Sequence, residues 1–278
     1  MSIITISRGS YSRGKAVAEK LAQKLGYECL SRDILLEASD EFNIPEIKLI
    51  RALHDAPTVL ERFSHGKERY VAYLRSAMLN HMLKDNIVYH GLAGHFFLQD
   101  ISHALKTRIL ANLDDRIKEE MRREHISAEE ARHVLKKDDE ERRKWGINVY
   151  GVDTRDSKLY DIVLHINTMT VDDAVDILYA IAQKPAFQAT PESLKKIRDL
   201  ALAAKVEAAL IKLVPTVKAK ADDGIVTIGN IEEKKALESD IAEMVQKIAG
   251  KVPGVKEVLI HLIPIKKKPD HINPFYNM

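Results

Sequence analysis

Along the first twenty-five residues, the pattern of apolar residues changes from one typical of a strand to one typical of a helix. Residues 3–6 form a β-branched run of the kind that occupies buried strands. From residue 16 onward, apolar side chains recur at helical spacing, with Val17, Leu21 and Leu25 on one face. A polar segment containing two glycines separates the two patterns. The chain is therefore predicted to begin with a strand that runs through a turn into an amphipathic helix.

Alternation of strand-like and helical patterns continues to about residue 182. Short apolar runs predict further strands at 27–30, 86–91, 107–112 and 160–167. Helical patterns occupy 31–38, much of 49–83, 114–124, 127–144 and 171–182. Residues 127–130 read as a capping box at the start of the fourth of these helices. Strands that alternate with helices at this spacing predict an α/β fold with a mostly parallel sheet flanked by helices.

The pattern changes after residue 184. Residues 185–191 begin and end with proline, which predicts a linker. Beyond it the patterns predict, in order, a helix, two strands joined by a tight turn, a helix and a strand, at 192–213, 216–220, 225–231, 232–249 and 255–263. The division is therefore a first domain at 1–184, the linker, a small α+β (αββαβ) domain at 192–265, and a basic, loosely ordered tail at 266–278.

Composition narrows the class of protein. A length of 278 residues favours two domains, and a net charge of +2 argues against a general nucleic-acid binder. The single cysteine, Cys29, excludes internal disulfides and a cysteine-rich metal site. No apolar stretch approaches the roughly 20 residues that span a bilayer. Charges from Arg8 onward argue against the apolar segment of a signal peptide. These features predict a cytoplasmic protein.

A glycine–lysine motif occupies the first turn. Gly9-x-x-x-x-Gly14-Lys15 has the spacing of a phosphate-binding loop. In such a loop, backbone N–H groups and the positive end of the helix converge on one point, where the lysine adds a full charge. Ala16 stands where the full motif has a serine or threonine that ligates Mg²⁺. The motif predicts a phosphate site, with an ordinary strand–helix turn carrying an exposed lysine as the alternative.

Several segments in the first domain carry a resemblance by their order and spacing. They are Ile4-Thr-Ile-Ser-Arg8 with the following loop and helix, Ser31-Arg-Asp-Ile-Leu35, residues 88–98, 114–116 and 126–131, the pair Asp139 and Arg142, and Tyr160-Asp161. Residues 1 to about 182 thereby resemble the cytidylate kinase-like branch of the P-loop nucleoside monophosphate kinases. The resemblance implies a P-loop nucleoside-kinase-like fold and ATP-dependent phosphoryl transfer to a nucleoside monophosphate, with CMP or dCMP preferred. ATP is the implied cofactor, together with Mg²⁺ for which no protein ligand is evident.

The resemblance also implies roles for individual residues. It assigns donor nucleotide binding to Ser12, Arg13, Gly14, Lys15, Ala16 and Arg116. It assigns binding of the acceptor monophosphate to Arg32 and the neighbouring Asp33. It implies no residue as a metal ligand. Lys15, Arg142 and Arg143 are the implied catalytic residues, the two arginines closing over the transferring phosphoryl group from a lid-like helix. For each arginine the alternative is a solvated helix face.

Departures from the family pattern keep a second function open. Tyr11 and Arg13 add bulk to the loop, and a shift of one residue would put Gly14 in the usual lysine position. Leu92 stands where the family has an arginine that contacts the acceptor nucleotide. The rival hypothesis is a nucleotide-binding sensor with weak or no transfer activity.

The C-terminal region carries a separate resemblance. Its segments are 206–210, Asp223-Gly-Ile-Val-Thr-Ile-Gly229 and Val252-Pro-Gly-Val-Lys-Glu-Val258. Residues 195–264 thereby resemble a BON domain, which implies an anionic phospholipid surface or a protein partner. The lysines at 266–268 would add attraction to an anionic surface. A soluble tail with a dimerisation or ligand-sensing module is the alternative, so a homo-oligomer stays open.

Two groups of side chains have structural explanations as well as functional ones. His90, His95 and His103 fall within fourteen residues, but their spacing is not that of helical metal ligands, which favours core or loop histidines. Trp145 and Tyr150 flank the end of the lid-like helix. We expect them to be packing anchors rather than base-stacking groups.

Overall fold

The computed structural model describes residues 2–8, 11–31, 34, 38, 66–91, 94–232 and 240–263. The predicted acceptor residues Arg32 and Asp33, the position of Leu92 and the tail at 266–278 lie outside these residues.

A five-stranded parallel sheet forms the centre of the first unit. Its strands are β1 (Ile3–Arg8), β2 (Glu28–Leu30), β3 (Ile87–His90), β4 (Ala104–Ala111) and β5 (Ile162–Ile166). They lie in the order β2-β3-β1-β4-β5, and every pair is parallel. Strand β1 is therefore central, and residues 2–7 are all buried, as expected for a strand covered on both faces. The parallel sheet predicted from the sequence is confirmed.

Helices cover both faces of this sheet, which gives the predicted α/β architecture. Those of the first unit are α1 (Tyr11–Leu25), α2 (Gly66–Met82), α3 (Gly94–Phe97), α4 (Leu113–Glu124), α5 (Ala128–Tyr150) and α6 (Val171–Ala182). Successive strand residues point to opposite faces. Ile4 therefore packs in the core that includes Leu21 of α1 and Leu178 of α6, whereas Ile3 packs in the core that includes Met78 of α2.

A second, smaller sheet follows the first unit. Its elements are α7 (Pro191–Leu210), β6 (Lys218–Asp222), β7 (Ile225–Glu232), α8 (Ile241–Ala249) and β8 (Glu257–Ile263). Strand β7 is central, antiparallel to β6 and parallel to β8. This is the αββαβ order predicted from the sequence. The linker contains a single 3-10 turn, Pro185–Phe187.

Packing joins the two units through helices α2 and α7. Ile197 and Ala201 of α7 belong to the same buried cluster as Ile3 and Met78 of the first unit. In the other direction, Tyr73 of α2 is buried in the C-terminal core. Apolar contacts therefore connect the two units, which lie on either side of the predicted linker in the sequence. The domain boundaries themselves stay a prediction.

Several element boundaries differ from the predictions. Helix α1 begins at Tyr11 rather than at residue 16, and α5 continues to Tyr150, six residues past the predicted end. Strand β4 begins at Ala104, three residues before the predicted start. The capping box is present, because Ser127 accepts from the Glu130 N–H and Glu130 accepts from the Ser127 N–H. Among the residues described, no helix combines the length and apolar character needed to cross a bilayer.

Candidate functional site

The turn between β1 and α1 is shorter than the phosphate-loop spacing suggests. Strand β1 ends at Arg8 and α1 begins at Tyr11, so only residues 9 and 10 lie between them. Gly14, Lys15 and Ala16 are therefore part of the helix. The first four N–H groups of a helix have no partner within it, and they lie at its positive end. Since β1 is central in the sheet, this helix end lies at the middle of the carboxyl edge, where ligands of parallel α/β sheets bind.

The charged side chains of this helix end have partners inside the protein. Arg13 Nε lies 2.9 Å from Glu119 Oε1 on α4, and Arg13 Nη1 donates to the Ile166 carbonyl at 3.0 Å. Lys15 is half-exposed, and its Nζ lies 3.6 Å from Glu19 Oε1, one turn further along α1. Arg13 thus ties α1 to α4 and β5. Among the groups described at this helix end, the backbone N–H groups of the first turn are suited to a phosphate.

A buried polar cluster lies on one face of the sheet where β1 ends. Tyr160 Oη accepts from Arg108 Nη1 at 3.0 Å and donates to the Thr154 carbonyl at 2.9 Å. The same oxygen lies 3.2 Å from Ser7 Oγ and 3.4 Å from His95 Nε2. Ser7 is the penultimate residue of β1, so the cluster fixes the strand end from which the turn to α1 starts. Tyr160 and His95 are far apart in the sequence, so their contact depends on the tertiary fold and is not predicted by local pattern.

Burial keeps His95 neutral. Desolvation, followed by the nearby charges of Arg108 and Lys106, lowers its pKa from 6.5 to about 3. A neutral imidazole next to a tyrosine hydroxyl and an arginine avoids placing a second cation in the cluster.

The pKa of His95 predicts a loss of stability in acid. The folded protein keeps His95 neutral down to about pH 3, whereas the unfolded chain binds a proton below about pH 6.5. The free energy of unfolding should therefore fall as the pH is lowered from 6.5 toward 3, by at most about 1.4 kcal/mol per pH unit from this residue. Urea unfolding at several pH values measures this slope. His95→Gln should flatten it and the exposed His165→Gln should not; an equal slope in all three proteins would contradict the assignment.

Two glycines beyond β3 make room for one tyrosine ring. A Cβ added at Gly91 would lie 2.6 Å from Tyr89 Oη, and one at Gly94 would lie 2.6 Å from Tyr89 Cδ1. The Gly91 N–H donates to the Ile6 carbonyl at 3.2 Å, which places the segment after β3 beside the end of β1. The glycines in this segment are thus explained by close packing at the carboxyl edge.

Helices α4 and α5 form a charged hairpin next to the site. Arg116 of α4 is buried and makes a bidentate pair with Asp139 of α5, at 2.7 and 2.8 Å. A small apolar cluster that includes Ile117 and Leu135 holds the two helices together. The guanidinium of Arg116 thus connects the two helices, and its implied contact with the donor nucleotide stays a prediction.

The two predicted catalytic arginines differ in how firmly they are held. Arg143 Nε lies 2.8 Å from Asp153 Oδ2, and the pKa of Asp153 is lowered by the Arg155 N–H and by Arg143. Arg142 Nη2 lies 3.8 Å from Asp138 Oδ2, a long ion pair within one helix. Arg142 can therefore leave its partner at a smaller electrostatic cost.

The remaining predicted residues have mixed outcomes. Tyr150 stacks on Phe96 with ring centroids 4.3 Å apart and meets Phe97 edge-on, so it is a packing anchor as predicted. The Trp145 and Ser12 side chains lie outside the description. Within the described ranges, no group of three or more histidine, cysteine or acidic residues is arranged to hold a metal ion.

A known family matches the part of the chain that contains the parallel sheet and the helical hairpin. The cytidylate kinase-like family matches residues 3–168, more than half of the chain. The chain belongs to the cytidylate kinase-like family. The match ends near β5 and does not include the second sheet.

Three individual proteins are similar to part of this chain. The cytidylate kinase of Sulfolobus acidocaldarius is 25% identical over 187 residues, which cover 65% of this chain and 94% of that protein. A crystal structure of an uncharacterized protein from Eubacterium ventriosum shares the fold, with a TM-score of 0.52, 24% identity, and coverage of 65% of this chain and 97% of that one. Shikimate kinase from Bacteroides thetaiotaomicron aligns with a TM-score of 0.41 and 11% identity, over 66% of this chain and 99% of that one.

Proposed function

We propose that this protein transfers the γ-phosphoryl group of ATP to a nucleoside monophosphate, with CMP or dCMP as the preferred acceptor. The observation that carries the proposal is the position of the α1 N-terminus, at the carboxyl end of the central strand of a cytidylate kinase-like sheet. Phosphoryl transfer requires positioning and positive charge around the transferring group rather than covalent help from the protein. Family membership and the α4–α5 hairpin favour this activity over the nucleotide-sensor alternative.

Backbone groups would hold the donor phosphates. The N–H groups of the first turn of α1, which have no partner within the helix, suit an anion, and the helix dipole adds to the attraction. The buried cluster of Ser7, Tyr160 and His95 keeps the preceding strand end in place, so that these donors are already oriented before ATP binds. Arg142 would approach the transferring group from the hairpin, whereas Arg32 and Asp33 stay predicted acceptor contacts.

The residues present fit ATP better than they fit a protein-held magnesium ion. Ala16 offers no hydroxyl in the second turn of α1, where the full phosphate-loop motif would supply one. Mg²⁺ would accordingly be bound by the donor phosphates and water, where it would neutralise phosphate charge.

A coupled ADP-release assay with CMP, dCMP, UMP, AMP and GMP as acceptors tests the proposal. Turnover with the cytidine nucleotides at the highest kcat/KM is the expected result. Tight ATP binding with no turnover on any acceptor would instead establish the nucleotide sensor. Two separate hypotheses rest on sequence segments alone. One is a BON-like role of the second unit at an anionic lipid surface or with a protein partner. The other is formation of a homo-oligomer.

Lys15→Ala is expected to raise the Kd for ATP less than threefold. The reason is that Lys15 lies on a half-exposed face of α1, paired with Glu19, whereas the phosphate-binding groups are backbone N–H groups. Lys20→Ala is the matched control, since Lys20 lies on the same helix and pairs with Asp172. Isothermal titration of ATP into the three proteins gives the comparison. A loss of tenfold or more in Lys15→Ala alone would show that this lysine contacts phosphate, as the sequence motif predicted.

A further inference from the structure

A cavity opens where the two units meet, well away from the α1 N-terminus in the chain. It has a volume of about 320 Å³ and lies between the end of α2, the exposed side of α7 and two loops of the second sheet. Ligand pockets in proteins begin at about 300 Å³, so a small organic molecule fits. The groups that matter most are Asn80, Arg198, Leu202, Lys205, Gly254 and Lys256.

The loop side of the cavity is preformed by two glycines. Gly224 and Gly254 have φ angles of 91° and 99°, which favour glycine. A Cβ at Gly224 would lie 2.9 Å from the Gly254 carbonyl oxygen and 2.9 Å from the Lys256 stem. The Lys256 N–H donates to the Gly224 carbonyl at 2.8 Å. The turn after β6 and the loop before β8 are therefore locked against each other, and Lys256 is held at the rim.

Acidic groups in the lining are already paired. Lys195 Nζ lies 2.8 Å from Asp199 Oδ2 and 3.5 Å from Asp223 Oδ2, and it also contacts Asp222. Asp199 Oδ1 accepts from the Asp223 N–H at 3.0 Å. Lys195 offsets one of these three carboxylate charges, and solvent screens the others because the side chains of Asp222 and Asp223 are mostly exposed.

The cations in the lining lack such partners. Lys205 Nζ donates to the neutral Asn80 Oδ1 at 3.2 Å, and over the described ranges neither Arg198, Lys205 nor Lys256 has an ion pair. Three cations therefore surround one concave surface that also contains Leu202 and other apolar side chains. Guanidinium and ammonium groups bind phosphate through charge-assisted hydrogen bonds, and apolar walls bind the organic part of a ligand.

We propose that this cavity is a binding site for a phosphomonoester with a small organic group, either a free metabolite or the headgroup of a lipid. The site is separate from the proposed kinase site and does not depend on that activity. Because Asn80 belongs to α2 and Lys256 to the loop before β8, an occupant contacts both units at once. A ligand that binds only the folded arrangement stabilises it, so occupancy should strengthen the packing of α7 against α2.

Calorimetric titration of the full chain with glycerol 3-phosphate, in the presence of saturating ADP, tests the site. The variant Arg198→Gln with Lys256→Gln keeps the aliphatic stems and removes two charges. The matched control is Lys218→Gln with Lys247→Gln, which removes two exposed charges from the same unit outside the cavity. We expect binding that the first variant weakens at least tenfold and the control leaves unchanged.

A second arm distinguishes the two sources of phosphate. Vesicles of phosphatidylcholine with and without phosphatidate are sedimented with the same proteins. Binding to phosphatidate vesicles that the Arg198/Lys256 variant loses assigns a lipid headgroup, whereas glycerol 3-phosphate binding without vesicle binding assigns a soluble metabolite. No binding of either probe at millimolar concentration, or equal binding by both double variants, would overturn the proposal.

Discussion

Arg142→Ala is expected to lower kcat about a hundredfold and to change either KM only a few-fold, since its charge would be needed chiefly in the transition state. Among the residues that the structure describes, Arg142 has one ion pair, with Asp138 at 3.8 Å. Leaving that partner costs little, because both groups are partly exposed. Steady-state kinetics with ATP and the best acceptor measures the effect.

Arg143→Ala is the matched control for this prediction. It removes the same charge from the next position of α5, where the guanidinium is already committed to Asp153 at 2.8 Å and lies 3.5 Å from Glu140. We expect a decrease in kcat of less than about tenfold, together with some loss of stability. The resemblance assigns both arginines to catalysis, and a comparison of the two kcat values would separate their roles. If Arg142→Ala altered only the free energy of unfolding, Arg142 would be a solvated helix residue.

Glu207→Ala should reduce the free energy of unfolding by about 3 kcal/mol. Glu207 is buried, its Oε2 accepts from Arg75 Nη1 at 2.6 Å, and its Oε1 accepts from the Ala219 N–H at 2.8 Å. Truncation leaves a partly buried guanidinium and a buried backbone donor without their acceptor. Urea unfolding followed by circular dichroism measures the change.

A conservative variant and a control variant show what causes the stability change in Glu207→Ala. Glu207→Gln keeps an oxygen for the Ala219 N–H but removes the charge facing Arg75, so an intermediate loss is expected. Glu192→Ala, at an exposed position of the same helix, should change stability by less than about 0.5 kcal/mol. A wild-type value for Glu207→Ala would mean that the link between α2, α7 and β6 contributes nothing.

The sequence predicted what depends on local pattern. The parallel sheet, the αββαβ order of the second unit and the Ser127–Glu130 capping box all follow from periodicity or short-range hydrogen bonds, and all are present. The start of α1 was misplaced by five residues, because Gly14 and the polar residues around it resemble a loop in sequence although the helix accommodates them.

Side-chain partners could not be predicted in the same way. The resemblance groups Asp139 with Arg142 in one segment, and only the structure shows that Asp139 makes a bidentate pair with Arg116 on the neighbouring helix. The resemblance assigns Arg13 to the donor nucleotide, which stays a prediction, and the structure adds a contact of Arg13 with Glu119. These pairs depend on how α1, α4 and α5 pack, which single-sequence periodicity does not contain. The positions of Arg32 and Asp33 lie outside the described ranges and stay predictions.

The sharing of α2 between two cores has an evolutionary consequence. Ala72 and Tyr73 of this helix are buried in the core of the appended unit. A family member that ends where the kinase-like match ends, near residue 168, would present the same helix face to water. Such shorter relatives are expected to carry hydrophilic side chains at the two positions, whereas relatives with the appended unit should keep apolar ones. Gain of the second unit and loss of polarity on α2 would then have occurred together, after which neither change could be reversed alone.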